Sequence, residues 1–206
     1  MKIILEKIGR RFNRDWIFRN INYTFESGKS YAILGANGSG KSTLLQVVSA
    51  SLTSSEGELF YQKDGRPVDI ENVFDYLSIA APYMDLIEEF SLVEHIDFHF
   101  QFKTYREGYS RESVIELLGL RHSQHKALKN FSSGMRQRVK LALAFCADTE
   151  VLLLDEPTSN LDAQGVEWYL SLIKQFSAGR LVIVCSNQEH EYAFCDHRIG
   201  VEDYKL

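Results

Sequence analysis

Between residues 35 and 43 the chain reads Gly35-Ala36-Asn37-Gly38-Ser39-Gly40-Lys41-Ser42-Thr43. Glycines at this spacing let backbone N–H groups turn inward without Cβ clashes, which is what a row of phosphates requires of a loop. Lys41 supplies a cation for the β- and γ-phosphates of a nucleotide, the Ser42 hydroxyl a ligand for Mg²⁺, and Thr43 a contact on the α-phosphate side. A plain glycine turn between a strand and a helix would explain the glycines but not the Lys-Ser-Thr that follows. A second chemical pair, Asp155-Glu156, ends the apolar run Val151-Leu152-Leu153-Leu154. Neighbouring side chains on a strand point to opposite faces, so these carboxylates divide their work. Asp155 would hold Mg²⁺ through its water shell, and Glu156 would polarise the water attacking the γ-phosphate. Such hydrolysis is largely positioning and charge neutralisation, so few groups suffice.

A third segment, Phe131-Ser132-Ser133-Gly134-Met135, opens a basic and then apolar helical stretch. Hydroxyls and backbone N–H groups at the positive end of a helix favour an anion. An ordinary N-capped helix start is the competing reading. Arg136, Arg138 and Lys140 add charge there, but a solvated face explains them equally, and none is assigned as a ligand.

These groups need a scaffold. Tyr31-Ala32-Ile33-Leu34, Val151–Leu154 and Leu181-Val182-Ile183-Val184-Cys185 are apolar throughout, as strands buried on both faces are. Helical patterns separate them, which predicts an α/β core with a mostly parallel sheet. Ile3–Leu5, Ile21–Phe25 and Glu58–Tyr61 are further short strands of β-branched and aromatic residues. From about Pro82 to Ala147 the pattern is helical. Ser91-Leu92-Val93-Glu94 is a capping box, and Arg111 to Gly119 places Val114, Leu117 and Leu118 on one face with a glycine to end it. The division expected is one domain over 1–206, its nucleotide core formed by 1–79 and 148–206 and a helical lobe inserted at 80–147.

The 206 residues are 45% hydrophobic and carry a net charge of −5, without the basic footprint of a nucleic-acid binder. Cys146, Cys185 and Cys195 have no metal-like spacing and read as reduced thiols in apolar surroundings. The N-terminus is too short and charged for a secretory signal. The longest apolar run, Leu141 to Ala147, is far below the ~20 residues that span a bilayer, so a membrane role belongs to another polypeptide.

Together the phosphate loop, the Val151–Pro157 strand end, the Phe131–Met135 segment and Ser159-Asn160-Leu161-Asp162 resemble an ATP-binding-cassette ATPase, in that family's order and over essentially the whole chain. The resemblance implies an antiparallel β subdomain beside the core, ATP and Mg²⁺ as cofactors, and two cassettes packed head to tail. In that arrangement Ser132, Ser133, Gly134 and Met135, the signature, close over the γ-phosphate held by the other chain. Ser133 departs from the family's first glycine and Met135 from its glutamine. Asp162 falls in the D-loop, and Phe12 at the place of the aromatic that stacks on adenine, with Trp16 as its rival. Length and short tail are similar to the haem-exporter type of ATPase subunit. Two switch positions differ. Ile79-Ala80-Ala81-Pro82-Tyr83-Met84 lacks the family's glutamine, and Asn187 stands where a histidine usually meets the γ-phosphate. Asn187 donates a hydrogen bond but cannot carry a proton, so slow hydrolysis is expected.

The function implied is the ATPase subunit of a transporter, on the inner face of the cell membrane, partnered by a second cassette and a separate membrane permease. Tyr83, Met84, Leu86, Ile87 and Phe90 would dock that permease, although each serves equally well in the lobe's own core. The alternatives are a soluble ATPase that remodels a protein partner, and a nucleotide-gated module that scarcely hydrolyses.

Overall fold

The computed structural model describes residues 1–205. Two sheets organise it. The first is antiparallel, in the order β2-β1-β4-β5, from β1 (Lys2–Phe12), β2 (Asp15–Glu26), β4 (Glu56–Lys63) and β5 (Arg66–Val68). The second is parallel, in the order β6-β7-β8-β3-β9, from β3 (Ser30–Leu34), β6 (Leu77–Ala80), β7 (Val151–Asp155), β8 (Leu181–Cys185) and β9 (His197–Gly200). The apolar stretches Tyr31–Leu34, Val151–Leu154 and Leu181–Cys185 therefore form β3, β7 and β8 at the centre of the parallel sheet.

Alternation along these strands builds two cores. Val151, Leu153, Leu181 and Ile183 face the antiparallel sheet and α1 (Lys41–Val48). Leu152, Leu154, Val182 and Val184 face the other way, into a cluster with Leu92, Ile96, Val114, Leu118, Val139 and Tyr169. That second cluster buries the apolar sides of α2 (Leu92–Phe102), α3 (Arg111–Leu118), α4 (Ser133–Cys146) and α5 (Ala163–Phe176).

Each of the four helices on this second cluster is started by a side chain. Ser91 and Glu94 complete the capping box of α2, Ser110 caps α3, Ser132 caps α4 and Asp162 caps α5. Each cap contributes about 1 kcal/mol. Gly119 closes α3 in the left-handed conformation, φ 66°.

Two strands of the parallel sheet lack the apolar run of their neighbours. In β6 the run is broken by Ser78, which is buried and compensated by donating to the Ala144 carbonyl at 2.8 Å. In β9 the edge position leaves His197 and Arg198 exposed.

Candidate active site

The carboxyl ends of β3, β7 and β8 are level. Asp155 pairs with Cys185, and Ile33 pairs with the same Cys185 across β8. In open parallel sheets this is the edge at which ligands bind. The loop after β3 meets there the end of β7 and the segment after β8.

The phosphate loop turns through Gly35, Gly38 and Gly40 at φ 151°, 76° and 108°. At Gly40 a Cβ would lie 2.3 Å from Ile17 Cγ2, so the loop is pressed on β2 as well as twisted into the left-handed region. Ser39 donates its N–H to Ala36 O at 3.0 Å and is buried with an unpartnered hydroxyl. Lys41 is buried, and its Nζ donates back to the carbonyls of Gly35 at 2.8 Å and Ala36 at 3.2 Å. Ser42 and Thr43 lie in the first turn of α1, both partly buried. Asn37 is exposed at the tip.

Asp155 is 1% exposed, and neither carboxylate oxygen has a hydrogen-bond partner. Burial first, and then the charge of Glu156, pushes its pKa up to about 6, while the adjacent Ser42 hydroxyl and Lys41 ammonium pull the other way. The Ser42 hydroxyl is near enough to moderate the shift without reaching hydrogen-bond geometry. A desolvated pair of oxygens beside a hydroxyl is a donor set suited to a hard cation. Glu156 follows in the left-handed region, φ 42°, donating its N–H to Cys185 O at 2.9 Å. The Cys185 thiol donates to Lys41 O at 3.6 Å, which ties β8 to the phosphate loop.

Asn187, just beyond β8, donates through Nδ2 to Asn37 Oδ1 at 2.6 Å. The residue at the switch position thus meets the phosphate loop directly. His190 is turned aside, its Nε2 3.1 Å from the Thr158 hydroxyl. At the junction without a glutamine, Tyr83 is 42% exposed overall but brings its hydroxyl toward Gln46, where desolvation and then the fields of Asp155 and Cys185 push its pKa up. No pattern in the sequence marks this placement, or the burial of Glu191 behind Asn187. Glu191 is one acid in the polar run Gln188–Glu191, and no local pattern distinguishes it.

The signature segment lies apart. Among the described residues no hydrogen bond joins Ser132–Met135 to residues 35–43; Ser132 Oγ instead accepts from the Met135 N–H at 3.2 Å. Ser133 is exposed and Met135 partly buried. Gly134 is packed so tightly that a Cβ would stand 2.8 Å from Asn160 O. The neighbouring cations are engaged within the chain. Arg136 pairs with Glu88 at 2.7 Å, Lys140 donates to Ala81 O at 3.3 Å and Pro82 O at 3.1 Å, and Arg138 stands 3.8 Å from Asp162. Asp162 accepts from the Gly165 N–H at 2.8 Å, so its carboxylate is occupied in capping α5. Phe12, 45% exposed, carries the Arg10 guanidinium 4.5 Å above its ring. Trp16 carries those of Arg19 at 4.6 Å and Arg11 at 5.5 Å.

No helix of the described residues is long and apolar enough to cross a membrane.

Comparison with known proteins gives a consistent result. A family profile described as ABC transporter matches residues 18–159. The energy-coupling factor transporter ATP-binding protein EcfA1 of Thermotoga maritima is 32% identical over 198 residues, 93% of this chain and 74% of that protein. The retinal-specific phospholipid-transporting ATPase ABCA4 of Mus musculus is 28% identical over 184 residues, covering 88% of this chain, which spans only 8% of that protein. Among solved structures, the dimeric post-hydrolysis state of the cassette MJ0796 bound to ADP and Pi superposes with a TM-score of 0.84 at 23% identity, over 99% of this chain and 96% of that one. At that identity the agreement is one of fold.

Proposed function

Because the chain belongs to the ABC transporter family, we propose that it is the ATP-binding and ATP-hydrolysing subunit of a transporter, working as a head-to-tail dimer that powers a separate membrane subunit. The observation that carries this reading is the meeting of Lys41, Asp155, Glu156 and Asn187 at one edge of the parallel sheet. In the cassette, spanning 1–206 with its helical lobe at 80–147, the N–H groups of residues 35–43 cradle the phosphates. Lys41 exchanges its two carbonyl partners for the β- and γ-phosphates. Ser42 and Asp155 would hold Mg²⁺, which when bound supplies charge neutralisation between the phosphates. Glu156 polarises the attacking water, and Asn187 leaves Asn37 to donate to the γ-phosphate. Phe12 offers a ring face to adenine.

Ser132–Met135, at the positive end of a 14-residue helix and unattached to its own phosphate loop, reaches the γ-phosphate of the second chain. The membrane subunit docks at the core–lobe junction. There Tyr83 and Met84 are exposed, and Met84 lines a cavity of about 240 Å³ together with Leu86, Ile87, Phe98 and Phe102. This sets the cassette on the cytoplasmic face of the membrane. A nucleotide-gated module with little turnover is the second reading, favoured by the absent glutamine and by Asn187.

The test is Glu156→Gln. It keeps the shape of the side chain and removes the charge that polarises water. ATP binding should persist, hydrolysis should stall, and a dimer should accumulate with ATP and Mg²⁺. A correctly folded variant that stays monomeric by light scattering at saturating ATP would count against the two-chain site. Lys41→Ala is the control for the loop: unchanged ATP affinity in a direct titration would remove the phosphate-binding assignment itself.

A further inference from the structure

Glu191 lies in the short helix α6 (Glu189–Tyr192) and is 0% exposed. A buried carboxylate is costly unless donors satisfy it. Here Oε1 accepts from the Thr158 N–H at 2.7 Å and also from the Thr158 hydroxyl, while Oε2 accepts from the Ser186 hydroxyl. These two partners frame the hydrolytic groups. Thr158 lies two residues beyond Glu156, in a turn closed by Ser159 N–H donating to Glu156 O at 3.0 Å. Ser186 immediately precedes Asn187, and its Oγ accepts from the Gln188 N–H at 2.8 Å. Glu191 is itself held by the Tyr169 hydroxyl of α5, which donates to its carbonyl at 2.8 Å.

We propose that Glu191 is a positioning residue that clamps the Glu156 turn to the Asn187 segment, so that seating Asn187 on a phosphate and aiming Glu156 at the water become one event. Both of its carboxylate oxygens are taken by Thr158 and Ser186, so it acts through Glu156 and Asn187. The chemistry calls for a carboxylate. Three donors converge on it, and an ionised carboxylate offers two oxygens with about four lone-pair sites. An amide has one acceptor oxygen and would turn N–H groups toward donors. The bonds are charge-assisted and thus stiffer than neutral ones. A continuous bonded route results, from Asn37 through Asn187 and Ser186 to Glu191, Thr158 and the Glu156 turn.

This inference rests on the assignment of Glu156 and Asn187 as the hydrolytic pair, and the test separates the two. Glu191→Gln and the milder Ser186→Ala are made in the full chain. ATP affinity, kcat, KM and the melting temperature are measured at a temperature well below unfolding. The expected result is a kcat lowered about tenfold, equivalent to ~1.4 kcal/mol in the barrier, with KM within about twofold. Combined with Asn187→Ala, Glu191→Gln should cost no more than the larger single effect, since both break one route. Wild-type kcat in Ser186→Ala and Glu191→Gln would overturn the clamp, even with a lowered melting temperature. Effects that multiply in the double variant would overturn it too. Should Glu191→Gln fail to fold, Ser186→Ala and its combination with Asn187→Ala decide alone. Glu156→Gln is assayed alongside: full hydrolysis in that variant would overturn the underlying site rather than the clamp.

Discussion

Asn187 is the residue at which the chemistry of the site departs furthest from a proton-carrying switch, and its amide already has a partner, Asn37 Oδ1 at 2.6 Å. In the closed state the same amide would donate to the γ-phosphate. A hydrogen bond to a charged group is worth ~1.5–3 kcal/mol, and each ~1.4 kcal/mol is a factor of ten in rate. Asn187→Ala should therefore lower kcat by roughly ten- to a hundredfold with little change in ATP affinity. Asn187→His should keep the activity or raise it. Steady-state assays of the two variants check this, and a wild-type rate in the alanine variant would assign Asn187 to capping β8. At this scale the sequence was legible wherever chemistry demands contiguous residues: the loop 35–43 and the pair Asp155-Glu156. It was illegible where function is assembled across the chain. Glu191 acquires its meaning from Thr158 and Ser186, and Tyr83 from Gln46 and Asp155, and no spacing in the sequence brings those residues together.

Among the elements, α2 carries the clearest dependence on pH. Its His95 Nδ1 and His99 Nε2 are buried without partners. Burial, followed by the charges of His95 and Lys103, pulls the His99 pKa down to about 4. A histidine depressed in the folded state is neutral there, so its contribution is fully present above the unfolded value, ~6.5, and is lost as the pH falls through that value toward about 4. Between pH 7 and pH 5 this single group should cost roughly 2 kcal/mol of stability. His99→Phe should flatten that part of the curve, as measured by denaturant titration at the two pH values; an unchanged slope would show that His99 is solvated. The elements themselves were legible to the degree that burial is two-sided. The three central strands announce themselves by unbroken apolar runs. β6 hides behind Ser78, whose hydroxyl is satisfied by Ala144 O, and β9 behind the exposed His197 and Arg198 of an edge. The caps of α2, α3 and α4 rest on local serine chemistry and needed no tertiary information.

For the whole molecule, the proposed head-to-tail pairing would set Ser132 over the phosphate loop of a second chain. Ser132→Arg would put a long cation in the space meant for the opposing γ-phosphate. It should abolish ATP-dependent dimerisation and hydrolysis while leaving ATP binding to the single chain intact. Light scattering and direct titration on the same sample test this, and a normal dimer would place the signature elsewhere. Only family resemblance suggests such pairing in the sequence, because on this reading one chain contains half of each composite site. The single chain nevertheless holds its own half ready. Lys41, by bonding the Gly35 and Ala36 carbonyls, ties the loop into a folded-back curve. Capture of nucleotide is then a matter of collision and exchange of partners, without a slow ordering step beforehand. Rapid mixing should accordingly give an observed association rate that climbs in proportion to ATP concentration, without reaching a plateau. With capture this direct, the proposed meeting and parting of two cassettes would time nucleotide turnover.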